Sequence, residues 1–182
     1  MTNSNVCHKW ANNTDPDGHG KGSHLSYRGP VLSSYGNYPI GVKTGRHYNG
    51  KELILIQANK YSKSTTRHIS LACRALTPDQ KAVAVPSVSL HPDSDINKMW
   101  LMDMAAKART KALKALKFGS YSVTEYDALH DNYIFYCAAF KFEPSKEFPV
   151  LSDENRGAIA TKTAKYEAAQ EVREEAAWIR RR

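Results

Sequence analysis

Residues 23–76 read SHLSYRGPVLSSYGNYPIGVKTGRHYNGKELILIQANKYSKSTTRHISLACRAL, and the fold follows from how this stretch divides. Leu25 to Tyr35 and Ile40 to Tyr48 are short runs mixing apolar, aromatic and small polar residues, and Lys51 to Ala58 is a third run around Leu53, Ile54, Leu55 and Ile56. Asn49-Gly50 joins the last two, and this pair readily takes the positive φ angles of a two-residue hairpin turn. Gly36-Asn37-Tyr38-Pro39 separates the first two with similar turn chemistry. The reading is an antiparallel three-stranded β-meander. Beyond it Ile69, Ala72, Cys73 and Leu76 recur at i, i+3, i+4 and i+7, which predicts a helix over about 65–76 with one apolar stripe on the sheet. Ser62 or Ser64 caps its start, and Thr77-Pro78 stops it. Lys63, Arg67, Ser70 and Arg74 line its far side as a basic ridge if the helix begins early enough to include Lys63.

Outside this stretch the patterns are simpler. Residues 1–22 are rich in Asn, Gly, Asp and His with Trp10 as the one large apolar anchor, which reads as a flexible N-terminal arm. Gly18-His19-Gly20-Lys21-Gly22-Ser23 lacks the strand and helix context of a phosphate-binding loop and reads as a hinge. Val83, Val85 and Val88 alternate around Pro86 as a short edge strand. Ser94 and Asp95 open a helix to about Lys117, ended by Gly119, in which Arg109 falls on the apolar arc. Ser122-Val123-Thr124-Glu125 is a capping box for another helix through Phe142, whose aromatic spacing makes it the most buried of the chain. Residues 152–182 combine Ala, Glu, Lys and Arg in a strong helix-forming mixture, with acids at its start and Arg180 to Arg182 at its end.

The fold class is thus α+β. A flexible arm (1–22) precedes a basic β-meander and helix domain (23–92), a helical segment packing on it (93–150) and a long charged C-terminal helix (151–182). About three helices make up the second half. Val172, Trp178 and Ile179 give the last one an apolar side that could join it to the body or to a second copy of the chain.

Charge is distributed unevenly. Of the formal net charge of +8 over 182 residues, the first 76 residues carry ten Lys or Arg against three acids (Asp15, Asp17, Glu52). Such a lopsided field attracts polyanions and acidic protein surfaces alike, and it excludes mimicry of DNA. No run reaches the roughly 18 apolar residues of a membrane span. The N-terminus shows no secretory signal pattern. Cys7, Cys73 and Cys137 are an odd number without a C-x-x-C spacing, so they read as free thiols in a reducing compartment, with Cys73 and Cys137 in the core. Cys7, His8, His19 and His24 match no zinc spacing, and neither a metal nor a cofactor is expected.

Arg28-Gly29, then Ser34-Tyr35-Gly36, Pro39-Ile40-Gly41-Val42 and Tyr61-Ser62-Lys63-Ser64-Thr65-Thr66-Arg67-His68 together resemble a family of small tailed-bacteriophage proteins built on a domain of unknown function. The resemblance covers residues 24–76, and Gly41 stands where such proteins often carry Ala. It implies a phage source and the cytoplasm of a bacterial host, and brings no activity with it.

The block from Tyr61 to His68 gathers hydroxyls, two cations and an imidazole where a helix begins, and free N–H groups there suit a phosphate or carboxylate. Capping alone also accounts for the Ser and Thr residues. No G-x-S-x-G, H-E-x-x-H or P-loop is present. Asp127, His130 and Asp131 share a helix face that reads as solvated, so no catalytic residues are assigned. The first expectation is a non-enzymatic phage accessory protein that binds nucleic acid through Lys60, Tyr61, Lys63, Arg67, His68 and Arg74, with Arg28, Lys43 and Arg46 extending the patch along the sheet. Two alternatives use the same chain differently. One is a host-takeover or anti-defence protein occupying an acidic site on a bacterial protein, and the other is a virion or assembly component.

Overall fold

A computed structural model describes residues 1–59, 62–118 and 123–179. Its sheet has six strands, where the sequence reading has a meander of three and a short edge strand around Val83 and Val85. In chain order the first unit contains α1 (Asn3–Ala11), β1 (His19–Lys21), β2 (Leu25–Arg28), β3 (Val31–Ser34), β4 (Tyr38–Tyr48), β5 (Lys51–Gln57), α2 (Lys63–Ala75) and β6 (Gln80–Val85). Strands β1 to β5 form an antiparallel meander in sequence order, and β6 joins β5 in parallel at the edge. A parallel neighbour needs a crossover, and α2 supplies it.

The meander gains strands because turns hide inside the runs. The run from Leu25 to Tyr35 is two strands, reversed at Gly29-Pro30, where Gly29 has φ 52° and an added Cβ would meet the Pro16 carbonyl oxygen at 2.4 Å. Only glycine fits there. At the β4–β5 turn Asn49 and Gly50 take φ 49° and 73°, the mirror-image turn expected of that pair. Pro39 is accommodated where the register shifts between β3 and β4, opposite Leu32 and Ser33. The glycine-rich segment read as a hinge is β1, paired with β2.

The flexible arm is likewise corrected: residues 3–11 form α1. Val6, Cys7, Trp10 and Ala11 sit at one helical stripe and are all buried, packed with Leu25, Tyr27, Leu32, Ile40, Ile54, Ile56 and the inner face of α2. Few apolar residues suffice because each falls on the contact side. Trp10 is the largest of these side chains and is fully buried, and its indole N–H donates to the Pro30 carbonyl at 2.8 Å. Burial raises the Cys7 thiol to about 11, with Cys73 a smaller contribution, so it is a packing residue. Cys73, expected in the core, is exposed on α2.

Alternation along β4–β6 turns Val42, Leu53, Leu55, Val83 and Val85 to the other face of the sheet, where they too are buried. The part of α5 (Thr124–Phe140) from Asn132 onward belongs to this unit and supplies the cover: Phe135 meets Tyr48 edge-on at 5.6 Å and lies under the Lys81 ammonium at 4.9 Å. Fully buried Asn97, near the start of α3 (Ser94–Leu113), bonds both backbone groups of Ser87 and the Tyr136 hydroxyl. Asp93, not Ser94, caps α3, accepting from the N–H groups of Asp95 and Ile96.

The second unit comprises Met102–Asp131 and the chain from Pro144 onward. It contains the rest of α3, α4 (Ala115–Phe118), the start of α5, and α6 (Asp153–Ile179). The helix expected to reach Lys117 ends at Leu113, with α4 a separate short turn; its expected stop, Gly119, and the capping residue Ser122 lie outside the described residues. Tyr126 donates to the Pro149 carbonyl and accepts from the Leu151 N–H, while Arg109 snorkels to the Val150 carbonyl at 2.7 Å. On α6 Val172, Trp178 and Ile179 are exposed. No described helix is long and apolar enough to cross a membrane.

Gly41 has no side chain for a packing reason. A Cβ there would lie 2.8 Å from the Trp10 ring and 3.4 Å from Ile56. Gly41→Ala is expected to destabilise the protein by about 1–3 kcal/mol, the usual range for overpacking, read as a lower urea midpoint. The loss should shrink when Trp10 is first shortened to Leu. An unchanged midpoint for Gly41→Ala alone would show that the ring does not occupy this space.

A cleft where helices α1 and α2 meet the sheet

On the face of the sheet that carries α1 and α2, a cleft of about 920 Å³ opens between the first turn of α1, the start of β2, the turn after β3 and the first turns of α2. Met1 to Asn5, Ser23, His24, Tyr35, Ser64, Arg67, His68 and Leu71 line it. None of these is acidic.

Each wall has a local cause. The Thr2 hydroxyl caps α1 by accepting from the Asn5 N–H at 3.2 Å. One residue on, the Asn3 side-chain oxygen accepts from the His24 and Leu25 N–H groups and the Ser23 hydroxyl at 3.2–3.3 Å. The helix start therefore holds the segment that presents His24. Opposite, Ser62 caps α2, accepting from the Thr65 N–H at 3.1 Å, and Thr66 bonds back to the Ser62 carbonyl. Those hydroxyls are consumed by the helix start, as capping alone requires, but Ser64 and Arg67 face the cleft.

His68 is the most constrained group. It is 5% exposed, and its Nδ1 lies 2.8 Å from the hydroxyl of Ser34, itself 1% exposed, across 34 residues of chain. His24 lies nearly parallel to it, at an interplanar angle of 24° with ring centroids 6.2 Å apart. Tyr35 completes a triangle, 5.1 Å from His24 and 5.6 Å from His68. Tyr35 has φ 52° and is 57% exposed. A bulky residue in the left-handed region is strained, and that strain leaves an aromatic face open beside the two imidazoles. Burial, then the neighbouring His24 and Arg67, hold the His68 imidazole below its ordinary value. The fold thus favours the neutral form of this ring.

The expected contacts distribute unequally over the structure. Arg67 and His68 line the cleft, and Lys63, the first residue of α2, lies one turn before Arg67 on the same exposed side. Arg74 is two turns further along, its guanidinium bonded to the Ser70 hydroxyl at 2.9 Å. Among the described residues no carboxylate pairs with Lys63, Arg67 or Arg74. The extension along the sheet is not a continuous patch. Arg28 alternates with buried Tyr27 and lies on the opposite face, in a groove with His19, Lys21 and Ser33. Lys43 donates to the Ala11 and Asn13 carbonyls at 3.1 and 2.6 Å, satisfying the C-terminal end of α1. Arg46 stacks on Phe140 at 4.6 Å. Lys60 and Tyr61 lie outside the described residues.

His24, Ser34 and Tyr35 are not among the site residues expected from the sequence, and Ser64 enters there only as one of the hydroxyls of the Tyr61–His68 block. Ser34-Tyr35-Gly36 stands out in the sequence only as one of the resemblance motifs, and nothing in its spacing places it against His68. Among the described residues no group of three or more His, Cys, Asp or Glu could hold a metal ion. Comparison with protein-family models, curated proteins and solved structures gave no match, so the geometry stands alone.

The depressed His68 value ties stability to pH. Between the ordinary value of 6.5 and the lower folded-state value the unfolded chain binds more protons at this residue than the native one. Stability therefore rises with pH across that window and is lost as pH falls through it. Urea midpoints measured from about pH 7.5 to about pH 5 should fall less steeply for His68→Gln than for the parent chain. Parallel profiles would show that His68 is not held neutral by the fold.

Proposed function

We propose that this chain binds single-stranded nucleic acid, with the phosphate backbone in the cleft and a base against Tyr35. The observation that carries the reading is the cleft without acids: a guanidinium, two imidazoles and the first turns of two helices surround one space under an exposed aromatic ring. Cations and helix N-termini attract phosphate. An exposed ring beside them offers the stacking platform used by single-strand binders. The surplus positive charge of the first 76 residues adds long-range attraction.

Lys63 and Arg67 extend the site along α2, and Lys60 and Tyr61 immediately precede that helix in the chain. Arg28, on the other face of the sheet, is outside this path. Contacts to phosphate position a strand without reading its sequence, so the protein discriminates little between base sequences. The resemblance to tailed-phage proteins makes the infected bacterial cytoplasm the natural setting, where this would be an accessory protein of the phage.

Fluorescence anisotropy with labelled single-stranded oligonucleotides tests the reading. Affinity should fall steeply with salt. Arg67→Ala should weaken binding by about tenfold, as loss of one charge-assisted contact does. Tyr35→Ala should weaken it comparably, and Arg28→Ala should leave it unchanged. No measurable binding at about 50 mM salt, or equal loss from Arg28→Ala and Arg67→Ala, would defeat the proposal.

A further inference from the structure

The two imidazoles of the cleft have an arrangement that binding alone does not require. A phosphate needs cations, and Lys or Arg supplies them more reliably at neutral pH than histidine does. Here His68 is held by a buried hydroxyl from a distant strand, and His24 is held by the Asn3 contacts to its backbone. Both rings border one space, 6.2 Å apart. We propose that this pair makes the chain a ribonuclease that cleaves single-stranded RNA by internal transesterification, an activity resting on the nucleic-acid reading above.

The chemistry follows from what the cleft offers and what it lacks. Its lining has no carboxylate or thiol. The Ser34 hydroxyl is buried and engaged with His68, which makes it a positioning group. The attacking oxygen then comes from the substrate, and the ribose 2′-hydroxyl is the one that RNA carries and DNA lacks. In the tautomer whose Nδ1–H donates to Ser34, His68 presents a lone pair at Nε2, and this nitrogen takes the 2′-hydroxyl proton. The 2′-oxygen forms a bond to the adjacent phosphorus as the bond from phosphorus to the 5′-oxygen breaks. His24 gives a ring proton to that 5′-oxygen. The products are a 2′,3′-cyclic phosphate and a free 5′-hydroxyl; no oxidant, cofactor or water is consumed. Arg67 faces the phosphoryl oxygens, where charge builds in the transition state. Tyr35 holds a neighbouring base.

The full-length protein is incubated in EDTA with end-labelled single-stranded RNA, and in parallel with DNA of the same sequence. RNA should be cut to fragments ending in 2′,3′-cyclic phosphate, and DNA should be bound and remain intact. His24→Ala should lower kcat by about 100-fold or more, the usual contribution of a general acid or base, with KM little changed. Because His24 is exposed, this variant should fold; His68→Gln, checked by circular dichroism, should lose activity similarly. RNA that is bound as tightly as DNA yet stays whole overturns the ribonuclease while leaving the binding reading in place. Cleavage that persists unchanged in identically purified His24→Ala also overturns it. If neither strand binds, the binding reading fails and takes this inference with it.

Discussion

The indole of Trp10 lying over Gly41 holds the cleft face of the sheet together. Trp10 is fully buried and bonded to the Pro30 carbonyl, and the absent side chain at Gly41 is what lets its ring approach β4. A buried tryptophan of this kind is worth about 3–5 kcal/mol against alanine. For a nine-residue helix that is decisive, since a helix so short has little stability of its own in water. Docking α1 brings Asn3 to the segment before β2, and Lys43 closes the other end of the helix. The cleft is thus a consequence of packing some distance from it.

Helix α2 has two roles. As the crossover between β5 and β6 it must cross the sheet, and its inner face of Ile69, Ala72 and Ala75 meets the core shared with α1. Its first turns are left at the sheet margin beside Ser34 and Tyr35. There the same helix that completes a parallel strand pair delivers Arg67 and His68 to the cleft. Stability and chemistry meet at the Ser34–His68 contact: burial makes an unpaired hydroxyl or imidazole costly, so the pair satisfies each other and the ring orientation is fixed.

Several cations that compose the favourable charge balance are occupied by the fold. Lys43 completes a helix end, Arg46 covers an aromatic ring and Arg28 belongs to the opposite face. A net charge says how strongly a half-chain attracts an anion, whereas side-chain engagement says where the anion can settle. That difference moves the candidate site from a broad basic patch to one open cleft with few cations and two histidines.

The sequence by itself determined the α+β class, the Asn49-Gly50 turn, the existence and apolar stripe of α2 and the charged C-terminal helix, because each rests on local periodicity or turn chemistry. Its reading stopped at a three-stranded meander, one short edge strand and a loose arm because β1 is only three residues long, the β2–β3 turn is hidden in one apolar run, and α1 has a sparse stripe that pays off only against a sheet. Only the tertiary structure decided that His24, Ser34, Tyr35 and His68 are neighbours. Their separations along the chain have no period, and strand pairing with a helical crossover is what converts them into distances of a few ångströms.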